Sequence, residues 1–467
     1  IGCPLPTTGD VYAKEVYQEC AHFPGVRLYR DHQPIADLIR FIGYNFRYSE
    51  QWYGDFLAQV GSLWVAESRI VELCDRFGYD TVKGCLEEVL RYGDRKMTEE
   101  IKKFPKVTVE EEMVSEKLEE FCPDGVNLKM RLSIDPDAAT ITFDYREMPD
   151  QLPCSYNLTY ATATCSAIQG TLPVMDPNLP LNDGALDHIK VLLREGSVAG
   201  IPKWPVGTML ATTGFCDTIT NLVFKTWAKV LPDRSLAGMG EFSVANLDGS
   251  GRDPRTQEPY THQYYLAAAA GGATEGYDGL SHMFAPCIMG NMGYEFIETF
   301  ELAVPNIIWE IRAVEDSGGP GKWRGGISVG QRIQPLNHEM VLIYAATGYT
   351  NRPFGLFGGF PGSSDDHWIE NHATGEVVRH LPSAGNTVIR PDEDWVAVTS
   401  GGGGYGEPTE RDPYAVRDDV RDGFVSLQAA RDIYKVVITT DSELYDVDTK
   451  ATAELRANAR GKSGGGK

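Results

Sequence analysis

The 467 residues are more than one ordinary hydrophobic core organises, so two or three packed units are expected. Hydrophobic residues at 42% and charged residues at 23% are globular values and exclude global disorder. Lysine and arginine number 43 against 66 aspartates and glutamates, a net charge of −23. Nucleic acid and anionic membrane surfaces require a basic footprint, and this balance opposes both. No apolar run is long enough for a membrane-spanning helix. The nine cysteines lack zinc-site spacing and read as free thiols of a reducing cytoplasm. Ile1-Gly2-Cys3-Pro4 carries neither an initiator methionine nor a signal pattern and reads as the interior of a longer chain.

In chain order, Tyr12–His22 fits a short helix. Pro34 stands where a first helical turn would begin, ahead of an apolar-periodic stretch to Tyr44. Asp55 is placed as N-cap of a longer helix whose apolar residues Phe56, Val60, Leu63, Ile70, Cys74 and Phe77 recur at helical spacing, ended by Gly78. Asp80 opens another helix through Val82, Leu86, Val89 and Leu90. From Val126 the period becomes two, and Val126–Ile134, Asp135-Pro136-Asp137 and Ile141–Tyr145 predict a β-hairpin. Residues 151–399 read as irregular β structure with a few helices, Phe215–Leu231 among them. Ser426–Tyr434 fits a capped helix, Lys435–Thr439 a strand, and Gly461–Lys467 a flexible tail.

The fold class that follows is α+β, with a helical N-terminal part and a large glycine-rich mixed β region, in several units. The division is residues 1–122 mainly helical, 123–440 the β-rich core and 441–467 a C-terminal tail.

Few stretches carry chemistry by themselves. Gly401, Gly402, Gly403 and Gly404 follow the apolar strand Trp395–Thr399. Four glycines there let backbone amides crowd around an anion or another backbone. The Walker lysine and serine are missing, so a tight backbone crossing competes with a phosphate cradle. Asp316–Gly326 reads as a shaped loop with Arg324 paired to an acid rather than an RNA-binding segment. Asp55 and Gln59 lie one helical turn apart, as do Glu15 and Glu19. Such pairs are either solvated surface or a site where a cation or substrate compensates the charge. His367 and His372 lack a strong ligand spacing. No G-x-S-x-G elbow is present, which disfavours a serine hydrolase.

Taken together, a set of ordered blocks resembles the hydantoinase B family. Glu15-Val16-Tyr17-Gln18-Glu19 is similar to its EIYQEG segment, Asn45-Phe46-Arg47 to its N-x-R, and Gly54-Asp55 with Gln59 to a helix start. Phe143-Asp144-Tyr145 and Asn157 follow. Leu181-Asn182-Asp183-Gly184, Gly271-Gly272, Asp278-Gly279 and Asp316–Gly326 come next, then Ser400–Gly406 with Pro408 and Arg411-Asp412-Pro413. The resemblance runs from the first residue to Tyr434. The chain departs from the pattern at Gly293-Tyr294-Glu295, in the longer Asp248–His262 loop and near Asp422-Gly423.

The resemblance implies one subunit of an ATP-dependent enzyme, paired with a hydantoinase A-like ATP-binding subunit and further small subunits. An acetophenone-type ketone carboxylase, joining a phosphorylated ketone enol to carboxyphosphate made from bicarbonate, is the leading expectation. An ATP-dependent cyclic-amide hydrolase of hydantoinase or oxoprolinase type and a non-catalytic scaffold are the alternatives. ATP with Mg or Mn would serve the whole complex, and Zn or Mn would be held by ligands upstream of Ile1. Glu15, Glu19, Arg47 and Asp55 are then the expected catalytic residues and Asn45 and Gln59 the substrate-binding ones, gathered around one cleft. The glutamates would move protons or support metal ligands, and Arg47 would hold an oxyanion or carboxylate.

Overall fold

A computed structural model describes residues 11–463 apart from 20, 47, 242–247, 283–294 and 441–444. The architecture is α+β, with helices leading and several β-sheets following. Helix Ala36–Tyr44 precedes two long helices, Ser49–Phe77 and Tyr79–Ile101, which meet at Gly78. Gly78 has φ of 84°, a backbone state open to glycine, and its N–H closes the first helix on Cys74 O at 2.8 Å. Asp55 therefore stands inside the first long helix rather than at its N-cap, which is Tyr48. The expected Tyr12–His22 helix is only Val16–Glu19.

The first sheet runs Val107–Val114, Asn127–Asp135, Thr140–Asp144, Ile189–Leu192. Its first three strands are antiparallel and the last joins parallel. The alternation along Asn127–Asp135 sends Leu128, Met130, Leu132 and Ile134 into a core. Helix Cys216–Ala228 fills that core with Ile219, Leu222 and Trp227, joined by Met97 and Ile101 from the second long helix.

A five-stranded antiparallel sheet follows, in the order Val377–His380, Asp366–Asn371, Glu393–Val398, Val329–Pro335, Asn306–Ala313. A four-stranded sheet, Ala384–Ile389, Met340–Ala345, Asp248–Arg252, Pro259–Gln263, shares its core. Ile333, Ile369 and Trp395 from the first meet Leu342 and Ile389 from the second, the interior of two facing sheets.

At the C-terminal end, helices Pro413–Arg421 and Leu427–Asp432 close a small core with Tyr434 and Val447. Ser426 caps the second of these through Ala429 N at 3.0 Å. Within the expected C-terminal part 441–467, Thr449–Ser463 is a helix, and its Arg456 donates to Arg411 O at 2.7 Å. Residues 464–467 lie outside the described residues.

Candidate functional site

The glycine segments converge. Gly401 N donates to Ser363 Oγ at 3.0 Å, and the amides of Gly402, Gly403 and Gly404 donate to Gly326 O, Gly238 O and Phe360 O at 2.8–3.0 Å. A Cβ at Gly402 would overlap Gly271 O, and one at Gly325 would overlap Gly402 O. This is a crossing of backbones at a distance only glycine permits. The four amides of the run are committed to protein acceptors, with none turned to a phosphate.

Around this crossing, three blocks far apart in sequence form one ion network. Arg411 donates to Asp278 at 2.6 and 2.7 Å and to Asp419 at 2.8 Å. Arg324 reaches Asp419 at 3.1 Å, the acid partner expected for it. Burial alone would raise the Asp278 carboxyl, but the bonds and charge of Arg411 together with the charge and backbone N–H of Arg324 outweigh it and hold the pKa below the usual range. The network ties the C-terminal helices to the glycine crossing, a positioning rather than a chemical role.

Of the six residues expected to be catalytic or substrate-binding, Glu19 alone is both described and buried. Its Oε1 accepts Met209 N at 2.6 Å and Thr208 N. Burial raises its pKa, and those amides, with His22, offset part of the rise. Asn157 grips the same loop, donating to Gly207 O at 3.1 Å and to Cys154 O at 2.6 Å, while its Oδ1 accepts Leu152 N at 2.7 Å. Glu15 is exposed and pairs through its backbone with Val206. Asn45 is exposed at the C-cap of its helix and donates to Phe41 O at 2.7 Å. Asp55 and Gln59 are exposed on the first long helix. Arg47 lies outside the described residues. Among the described residues no hydrogen bond or ion pair joins Glu19 to Asn45, Asp55 or Gln59.

A second group, not singled out in sequence, lies next to Asn157 along the chain. Tyr156 is buried and packs on Phe215 at 4.5 Å between ring centroids. Phe215 ends a π-helical turn, Ala211–Phe215, that runs on from the loop held by Glu19 into helix Cys216–Ala228. Irregular turns of this kind recur at functional sites. In the helix, Thr218 Oγ1 lies 2.6 Å from Glu241 Oε2, and Asn221 Nδ2 donates to Glu241 Oε1 at 2.9 Å. Asn351 Nδ2 donates to the same oxygen at 3.2 Å, while its backbone N–H reaches Glu116 at 3.4 Å. Glu116 also accepts Thr350 N at 2.9 Å and Thr350 Oγ1 at 2.6 Å.

The electrostatics follow from this packing. Burial pushes the Glu241 carboxyl well above its ordinary value, and the charges of Asp217 and Glu116 add to the rise. Burial, with Glu241 and Glu116 as neighbours, raises the Tyr156 phenol as well. Among the described residues, the side chains hydrogen-bonded to Glu241 are two amides and a hydroxyl, none of them cationic. The shift favours the neutral, protonated carboxyl over the carboxylate. Among the described residues no group of three or more His, Cys, Asp or Glu is placed to hold a metal ion. No helix of the described residues is long and apolar enough to cross a membrane.

The family description "Hydantoinase B/oxoprolinase" matches residues 1–408. The β subunit of caprolactamase from Pseudomonas jessenii is 28% identical over 97% of this chain and 77% of its own length. The δ subunit of acetophenone carboxylase from Aromatoleum aromaticum is 24% identical over 99% of this chain and 72% of its own. The crystal structure of the ATP-dependent caprolactamase from Pseudomonas jessenii superimposes with a TM-score of 0.84 at 26% identity, over 98% of this chain and 78% of that one. With the family description spanning most of its length, the chain belongs to the hydantoinase B/oxoprolinase family.

Proposed function

We propose that the chain is the B-type subunit of an ATP-dependent enzyme that opens a cyclic amide, working beside a hydantoinase A-like subunit that binds ATP. The observation that carries this reading is the likeness to caprolactamase, at 28% identity over 97% of the chain and with a TM-score of 0.84. The chemistry is coherent. An amide carbon is a poor electrophile, and phosphorylating its oxygen activates it, provided that bulk water is kept away. One admitted water then adds to that carbon and gives up a proton, the C–N bond breaks as a proton is delivered to the departing nitrogen, and the phosphoryl group leaves as inorganic phosphate, so the site must hold the developing oxyanion and move these protons. ATP with Mg or Mn belongs to the whole complex in this reading, and any Zn or Mn to residues outside those described.

Glu19 and Glu15 are assigned to proton transfer or to the support of a metal ligand, Arg47 and Asp55 to the reacting centre, and Asn45 and Gln59 to the substrate. A ketone-carboxylating enzyme is the second reading, favoured by 24% identity over 99% of the chain with the acetophenone carboxylase subunit. The aromatic content of the chain, 22 Tyr, 18 Phe and 8 Trp, does not by itself argue for an aromatic ketone. Trp227, Trp395, Tyr145, Tyr264, Phe143 and Phe224 are fully buried, so much of it is core packing.

Turnover of the assembled complex decides between the two. With ATP present, ring opening of caprolactam, hydantoin or 5-oxoproline is expected. Bicarbonate-dependent consumption of acetophenone or acetone, without ring opening, overturns the proposal.

A further inference from the structure

Around Glu241 the hydrogen bonds have a direction. Its Oε1 takes two amide donors, Asn221 Nδ2 at 2.9 Å and Asn351 Nδ2 at 3.2 Å, and is thereby fixed as an acceptor. Oε2 is left as the oxygen able to carry a proton, and it lies 2.6 Å from Thr218 Oγ1. Burial beside Asp217 and Glu116 favours that protonated form. Thr218 in turn stands next to the Tyr156 phenol, which is buried and closes no aligned hydrogen bond among the described residues. Thr347 Oγ1 is a second buried hydroxyl of this kind. The two side chains meet over Gly214 of the π-helical turn: a Cβ built on that glycine would stand 3.5 Å from the Tyr156 ring and 3.6 Å from Thr347 Cγ2. Buried hydroxyls left without a protein acceptor call for an explanation, and a part in catalysis is one.

We propose, given the cyclic-amide reading, that Glu241, Thr218 and Tyr156 form a proton relay to the departing nitrogen, with Tyr156 as the last protein group. Glu241 passes the proton on Oε2 to Thr218, and Thr218 passes its own hydrogen to Tyr156. Tyr156 passes its own to the nitrogen as the C–N electron pair moves onto it. Glu241 is left as a carboxylate and recovers, along the same hydroxyls, the proton given up by the attacking water. Three features suit the group to this task. Among the described residues no cationic side chain is bonded to Glu241, so a lasting carboxylate there would face Asp217 and Glu116 without a counter-charge. The proton therefore leaves as another arrives, as a relay requires. The hydroxyls are shut off from bulk water, which keeps competing water from an activated amide. The π-turn over which they meet runs on from Thr208 and Met209, the amides held by Glu19, so the relay ends beside the loop that Glu19 fixes.

Two measurements on the assembled complex test this. Infrared spectra at neutral pH, in H2O and D2O, report a protonated carboxyl, and a wild-type band missing from Glu241→Gln is expected. Steady-state ring opening of caprolactam with ATP is expected to lose about 100-fold or more of kcat in Glu241→Gln and in Tyr156→Phe, with KM and circular dichroism kept. Thr218→Val falls likewise, and Thr218→Ser, which restores a hydroxyl, recovers most of the loss. A group that only holds the fold would leave kcat intact in Glu241→Gln, whose amide keeps the bonds to Asn221, Asn351 and Thr218. That result overturns the proposal, as does the absence of the infrared band or a serine variant no better than valine. Should Glu241→Gln not fold, unchanged turnover in Tyr156→Phe overturns it instead. A wild-type complex that opens no caprolactam, hydantoin or 5-oxoproline overturns the cyclic-amide reading and the relay together, whereas an active wild type with active variants overturns the relay alone.

Discussion

Glu19 and Met209 stand 190 positions apart, and the carboxylate of the first accepts the N–H of the second at 2.6 Å, with Thr208 N on the same oxygen. A four-residue helix near the start of the chain thereby fixes the loop that leads to the π-turn and Tyr156. Glu19→Ala strands both amides, at a cost of about 2–4 kcal/mol. Glu19→Gln keeps the oxygen that takes both bonds, and its loss stays near about 1 kcal/mol. Chemical denaturation of the two variants measures this difference; equal losses would mean that the loop is held elsewhere. If Glu19 also moves a proton, the glutamine variant loses turnover of the complex while keeping its stability.

Glu241 supplies a pH signature. Its folded pKa is raised, so the folded chain holds a proton that the unfolded chain releases above about 4.5. That stabilisation is fully present below the unfolded value and is lost as pH rises toward the folded one, at about 1.4 kcal/mol per pH unit. Glu241→Gln removes this single-proton slope and keeps a neutral group able to bond Thr218. Unfolding free energies of both proteins between about pH 5 and 8 provide the check. Parallel curves would show that Glu241 is ionised in the folded state.

The long helices were legible because their apolar residues repeat every three to four positions over many turns, and so was the Asn127–Asp144 hairpin, whose residues alternate. Strand Val107–Val114, inside residues 1–122 expected to be mainly helical, was not legible because Glu110-Glu111-Glu112 interrupts the apolar alternation that marks a strand. Its acids pair across to Lys129 and Arg131 and to Lys225 and Lys229 in helix and loop. The later sheets are built of short strands between glycine and proline turns, with no long period to detect. Arg324 could be expected to meet an acid, yet nothing local designates Asp419. The Glu241 group is less legible still: Glu116, Thr218, Glu241 and Asn351 come from four separate segments, and only the tertiary fold brings them together.

Asp419 accepts Arg411 at 2.8 Å and Arg324 at 3.1 Å where all three are nearly excluded from solvent. Asp419→Ala leaves two buried guanidiniums short of a counter-charge, and a loss of about 3–5 kcal/mol is expected. The neighbouring Asp278 has a depressed pKa, so its contribution is present above the unfolded value and is lost as pH falls through the folded one. Acid unfolding of wild type therefore draws on this network. In Arg411→Ala the Asp278 carboxyl returns upward, and the onset of acid unfolding moves to higher pH. An unchanged onset would place the acid sensitivity elsewhere.

Two glycines separate chain crossing from helix propensity. Gly84 lies inside helix Tyr79–Ile101, and a Cβ built there meets nothing within 4 Å. Gly84→Ala removes backbone freedom from the unfolded chain without a steric cost, and a gain of about 0.5–1 kcal/mol is expected. Gly402 has no such freedom. Its amide donates to Gly326 O at 3.0 Å, its carbonyl accepts Gly319 N at 2.8 Å, and a Cβ would overlap Gly271 O. The obstructing atom is backbone, itself hydrogen-bonded to Gly326 N at 2.9 Å, so no side chain can rotate aside. Relief requires three chain segments to separate and at least these bonds to lengthen. Gly402→Ala is expected to cost more than about 4 kcal/mol, enough to keep most of the protein from accumulating in soluble form. Thermal melts of the purified variants, with soluble yield for Gly402→Ala, give the comparison. A Gly402→Ala protein melting within a few degrees of wild type would mean that the segments lie further apart than these contacts require.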